Sequence, residues 1–207
     1  MRPRVPSQLA RLSAAVTVTL LAAGCGSASS TTSTTASGIP PQLLREARPI
    51  GIGPRFQPGV SGPVLGTCRR SLGSREGVHV ELFAANRVVI IPAGIGTLPP
   101  RRYSAGRISS ARCYGDAVTL EPTGLVLVRA GVRLDVAALF HSWGQRLSSS
   151  RIASFTASPG TQVAIFVGGR PWHGDPGSVP LTRHAEIVLE VGPHVPPHPS
   201  YTFPPGT

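Results

Sequence analysis

The chain contains no lysine: all 20 of its basic residues are arginine. An S-x-x-K nucleophile pair is therefore impossible, and no Walker loop occurs. Also absent are the G-x-S-x-G elbow, H-E-x-x-H and an EF-hand loop. "GIG" at Gly51–Gly53 and again at Gly94–Gly96 is too short to signal phosphate binding. Only nine residues are acidic, and none has the spacing of a general acid/base pair. No catalytic residue and no cofactor is indicated, which argues against an enzyme. Aromatic residues make up 5% of the chain, against 24 glycines and 22 prolines. That balance favours many turns and short strands over a helical bundle.

Long apolar runs are scarce too. The one that stands out, Leu12–Ala23, follows a positive stretch carrying Arg2, Arg4 and Arg11. It falls short of the roughly 20 residues that span a bilayer and fits the apolar region of an export signal. It ends in Ala22-Ala23-Gly24 and then Cys25, a pattern that resembles a bacterial lipobox. The order of these parts predicts lipidation of Cys25 after removal of residues 1–24. Each buried lipid CH₂ contributes about 0.8 kcal/mol, so two or three acyl chains hold a protein firmly to a membrane. The alternative is a plain secreted protein with an incidental cysteine. No second apolar run follows, so no transmembrane helix is expected. The expected place is the cell membrane, lipid-anchored, on its extracytoplasmic face.

Four segments follow from composition: a signal peptide over 1–24, a lipidated Ser/Thr-rich tether over 25–53, one domain over 54–192, and a Pro-rich tail over 193–207. Ser27–Ser37 is too polar and uniform to bury a core. The last 15 residues hold six prolines and read as extended chain.

The net charge is +11, or +8 without the three arginines of the signal. Arg69, Arg70, Arg75, Arg101, Arg102, Arg107 and Arg112 fall close together. A GC-rich coding bias accounts for arginine without lysine; a basic surface is the functional alternative. Outside the cytoplasm its partner would be anionic lipid or wall polymer, not nucleic acid. Cys68 and Cys113 form an even pair in an oxidising compartment, and a disulfide is the natural reading. Free thiols or metal ligands are the rivals, although no C-x-x-C spacing supports zinc.

Strand grammar is clearest in "GVHVELFAANRVVIIPAG", Gly77–Gly94. Val78, Val80 and Leu82 alternate with His79 and Glu81, and Ala85-Asn86 suits a tight turn, so a hairpin is predicted. A Gly/Pro/Arg loop to Ser110 should follow. Ala117–Gly131 repeats the hairpin pattern with its turn at Pro122-Thr123-Gly124. In "LDVAALFHSWG", Val136, Leu139, Phe140 and Trp143 mark a helix face, with Asp135 as N-cap and Gly144 as C′. Thr161–Trp172 reads as a hairpin turning at Gly168-Gly169. In a last strand, His184–Gly192, Ala185, Ile187, Leu189 and Val191 share a face. The fold class is α+β: a short-stranded antiparallel or mixed sheet with one packed amphipathic helix and many loops.

His79 and Glu81 are the most pointed polar pair. Period two puts both on one strand face at ligand-like separation. The bland alternative is a solvated outer face. Taken singly, His141, His173, His184, His194 and His198 read as surface or hydrogen-bonded histidines.

Several phrases occur in a telling order: "GVHVELFAANRVVIIPAGIG", a cysteine, "LFHSWGQRL", "VAIFVGGRPWHGDPGSVPLTRHAEIVLEVGP" and "YTFPPG". The set resembles a family of uncharacterised exported bacterial lipoproteins, mainly actinobacterial, over roughly residues 68–207. Its motifs are VPAGIG-like (Ile91–Gly96), FxxWG (Phe140–Gly144) and GDPxSxPL (Gly174–Leu181). Members read H-x-H-A-H-L where this chain has Gly77-Val78-His79-Val80-Glu81-Leu82. They carry a further His-rich run where Tyr114-Gly115-Asp116 follows Cys113 here. The resemblance implies a metal site in relatives, of which this chain keeps His79 with Glu81 beside it. Three functions remain: a non-enzymatic binding or structural module of the envelope, a transition-metal-binding lipoprotein with a degenerate site, and an enzyme acting on wall polymer. Sequence favours the first.

Overall fold

Strand β1 (Arg75–Ala84) is the spine of the molecule. The computed structural model describes residues 48–195 and 201–207. β1 turns at Ala85 and Asn86, both at positive φ, into the short β2 (Arg87–Val88). That is the backbone a two-residue hairpin turn requires. The expected hairpin is therefore present, with a return strand of only two paired residues. Ile50 bridges to Val88, and Gly51 N donates to its carbonyl at 3.1 Å, so part of the stretch assigned to the tether belongs to the folded unit.

The predicted loop to Ser110 is instead a long hairpin, β3 (Thr97–Ser104) and β4 (Arg107–Tyr114). Sequence missed it because most of its side chains face solvent, so no hydrophobic alternation marks it. Pro99 and Pro100 sit at an irregularity in its register, a position where a sheet tolerates proline. The second predicted hairpin is β5 (Ala117–Val118) with β6 (Leu125–Arg129).

The helix α1 (Val136–Trp143) has the expected caps. The Asp135 carboxylate accepts from Ala138 N at 2.8 Å, and Gly144 closes the helix at φ 81°. Val136, Leu139, Phe140 and Trp143 are all buried. Trp143 Nε1 donates to Pro58 O at 3.2 Å, and Ser142 Oγ to Pro63 O at 2.9 Å. Irregular chain thus straps the helix end, with Gly62 so close to His141 O that a Cβ there would collide.

A meander of two-residue strands follows, β7 (Leu147–Ser148), β8 (Arg151–Ile152) and β9 (Phe155–Thr156). It is too short to leave a periodic signal. β10 (Ala164–Val167), β11 (Arg170–Pro171) and β12 (Glu186–Val191) complete the strands of the described residues, with a 3₁₀ turn at Pro176–Ser178.

The main sheet runs β11-β10-β12-β1-β6-β5, with β2 added to β1. β1 pairs parallel with β12 and antiparallel with β6, so first and last long strands meet at the centre. The fold is α+β: a mixed seven-stranded sheet, two small sheets and one short helix among the described residues. One face, through Val78, Val80, Leu82, Ile187 and Leu189, packs on α1. The other carries Leu125 and Leu127 with Ile108 and Tyr114 of the arginine-rich hairpin, and Tyr201 beyond the last strand.

Candidate functional site

Register puts Gly77, His79, Glu81 and Phe83 of β1 on the second face, beside Glu186, Val188 and Glu190 of β12. That face is not solvated. His79 is 6% exposed, and Phe83 is buried. Its cover includes residues of the Pro-rich segment beyond β12. Tyr201 stacks on the His79 imidazole, with ring centroids 3.9 Å apart and planes 10° off parallel. Phe203 stacks on His184 and meets the Tyr201 edge. His184 Nε2 donates to Thr207 O at 2.7 Å. His198 lies outside the described residues.

The acidic residues of β12 hold this segment. Glu190, 2% exposed, accepts from Val195 N through both oxygens at 3.2 Å and from His194 Nδ1 at 2.8 Å. Glu186 Oε1 accepts from Tyr201 N at 2.6 Å. A buried carboxylate needs such donors, because isolated burial is costly. Sequence reasoning passed over both; the signal was a pair of carboxylates at every fourth residue in an otherwise apolar strand.

His79 Nε2 donates to Thr123 O at 3.1 Å, in the turn between β5 and β6. One ring nitrogen of the candidate ligand His79 is thus engaged by the backbone. Glu81 has its carboxyl pushed up to about 7, first by burial and then by the neighbouring Glu186 carboxylate. Tyr201 is pushed up to about 12, by burial and then by Glu121. Position 77, where a third ligand would stand, is tightly covered: a Cβ there would lie 3.0 Å from the Thr207 side chain and 3.1 Å from the Phe203 ring. Among the described residues, no three His, Cys, Asp or Glu side chains converge as a metal site. What the arrangement does is clasp chain to sheet.

The basic set divides in two. Arg75 is buried, and its guanidinium donates to the carbonyls of Leu72, Gly115 and Asp116 at 2.7, 2.8 and 3.1 Å. Burial first, and then Arg129, lower its pKa to about 10, against the pull of Asp116. Arg101 turns inward to Thr97 and Gly94, and Arg107 pairs with Glu121 at 3.0 Å. Arg69, Arg70, Arg102 and Arg112 are exposed. Arg102 pairs with Ser110, and Arg112 is two residues on, so they share a strand face. Arg69 bridges to Tyr114 on the far side of β4. A disulfide joins Cys68 to Cys113, with Cα atoms 5.3 Å apart, and pins this edge to the hairpin.

Cys25, the lipidation candidate, lies outside the described residues. No described helix is long and apolar enough to cross a membrane. No family model, curated protein or solved structure matches the chain.

Proposed function

We propose that this is a lipid-anchored protein of the cell envelope, held by Cys25 on the extracytoplasmic face of the membrane. It is a non-enzymatic binding module, and its partner is an anionic envelope component, lipid or wall polymer. The anchor rests on the ordered export signal, small residues and cysteine. The observation that carries the partner class is the exposed set Arg69, Arg70, Arg102 and Arg112, with Arg102 and Arg112 on one face of the β3–β4 hairpin and Arg69 bridged to Tyr114 of β4, while Arg75 and Arg101 are drawn into internal bonds and Arg107 pairs with Glu121 at the surface. Guanidinium groups bind carboxylate and phosphate through paired donors, and clustering them strengthens long-range attraction.

Two measurements test the reading. Wild-type protein should partition into detergent, and Cys25→Ser should move it to the aqueous phase. Recovery of unmodified wild type in the aqueous phase defeats the anchor. Without the anchor, Cys25→Ser protein should still bind anionic vesicles or acidic wall polymer, and salt should weaken that binding. Replacing the four exposed arginines by glutamine should abolish it. Undiminished binding by that variant defeats the proposed partner surface.

A further inference from the structure

A cavity of about 340 Å³ opens beside β10, lined by Ser149, Gln162, Phe166, Pro171, Trp172 and His173 among others. Its origin is visible in the backbone. Val163 N donates to Ser149 O at 2.8 Å, and Ile165 O accepts from Trp172 N at 2.9 Å. Two chain segments therefore dock on one edge of β10, two residues apart, and leave a gap between them. No Arg, Asp or Glu lines it.

We infer that this cavity binds a pyranose unit of an uncharged glycan, with the Trp172 ring as its platform. The site shares no residue with the arginine surface and goes beyond the anionic-partner reading. Three features select the ligand. Trp172 stays 36% exposed in a protein where Trp143 is wholly buried. Its indole is backed closely by Gly174, where a Cβ would stand 2.6 Å from Nε1. The glycine backbone thus lies against one edge of the indole and leaves the rest of the ring open to a ligand. The remaining lining alternates apolar surface from Phe166, Pro171 and Val163 with the amide of Gln162, the hydroxyl of Ser149 and the imidazole of His173. A charged ligand would find no Arg, Asp or Glu to pair with there, and a wholly apolar one would strip water from those polar groups without replacing it. A sugar ring meets both demands: its C–H face carries slight positive charge against the negative face of the indole, and its hydroxyls reach the polar rim.

The test uses full-length protein in detergent and four uncharged tetrasaccharides, of β-1,4-glucose, β-1,4-mannose, β-1,4-galactose and β-1,4-N-acetylglucosamine. Calorimetry should show saturable binding of at least one, with a change in indole fluorescence. Trp172→Ala should weaken it by about tenfold or more and remove the fluorescence change, while Trp172→Phe should retain part of the affinity. Gln162→Ala, at an exposed position, should weaken binding several-fold and keep the melting temperature. It carries the test if the Trp172 variants melt early. Binding of none of the four sugars, or wild-type affinity in both Trp172→Ala and Gln162→Ala, overturns the inference. The four-arginine variant should bind the sugar normally; loss there would place the ligand elsewhere.

Discussion

The two faces of the main sheet are both covered, by different chemistry. Toward α1, β1 presents Val78, Val80, Leu82 and Ala84, all within 1% of complete burial. There the cover is a capped helix of strong apolar periodicity. Across the sheet, the same strand presents Gly77, His79, Glu81 and Phe83, and its cover includes chain from beyond the last strand. The first face is held by area removed from water, which has no direction. The second depends on directed contacts: a stacked imidazole, carboxylates accepting backbone N–H groups, and a glycine that leaves room. A non-directional interface tolerates exchange of one apolar residue for another of similar size. A directed one fails when a single partner changes, and it responds to pH.

The largest effect expected is on the apolar face. Trp143→Ala removes a fully buried side chain and should cost about 3–5 kcal/mol in a thermal or urea melt. An unchanged melt would mean that this face does not dominate stability. Next is the disulfide that pins the arginine-rich hairpin over the second face. Cys68→Ser with Cys113→Ser frees a loop of 45 residues and should cost about 2–4 kcal/mol. Labelling of both thiols in denatured, unreduced wild type would refute the bond.

The third prediction concerns pH and separates the faces directly. Glu81 has a folded-state value near 7 against an ordinary 4.5. Being raised, it leaves the folded state fully favoured below about 4.5, and that advantage is lost as pH rises through 7. Wild type should therefore lose about 2–3 kcal/mol between pH 4.5 and 8 from this group. Glu81→Gln should flatten that slope, whereas Leu82→Val on the other face should leave it unchanged. Identical pH profiles for wild type and Glu81→Gln would refute the assignment. The smallest effect is Tyr201→Ala, about 1–2 kcal/mol from lost stacking and burial. It should also raise hydrogen exchange at His79 more than at Val80; equal change at both would show that Tyr201 does not act through this face.

Much of the apolar face was legible in the sequence. Alternation in β1 and β12 and the stripe in α1 reflect the repeat of each element, so burial on one side leaves a readable pattern. Asp135 and Gly144 were legible because capping is local chemistry. The second face was obscure for the same reason. His79 and Glu81 look like an outer face when the covering chain lies more than 100 residues away. The β3–β4 hairpin escaped notice because its solvent-facing side chains follow no apolar period. Arg75 belongs to a basic run in the sequence, and only the fold surrounds it with the carbonyls of Leu72, Gly115 and Asp116.

By itself, then, the sequence determined the α+β class, the helix and its caps, the turns at Ala85-Asn86 and Gly168-Gly169, and the presence of two cysteines able to pair. Each depends on residues a few positions apart, whose preferences act before the chain collapses. Only the tertiary structure decided that β1 and β12 are parallel neighbours, which arginines are free, and that Tyr201 closes over His79. Those outcomes depend on contacts between distant segments, and a hydrophobic pattern records that a face is buried without recording what buries it.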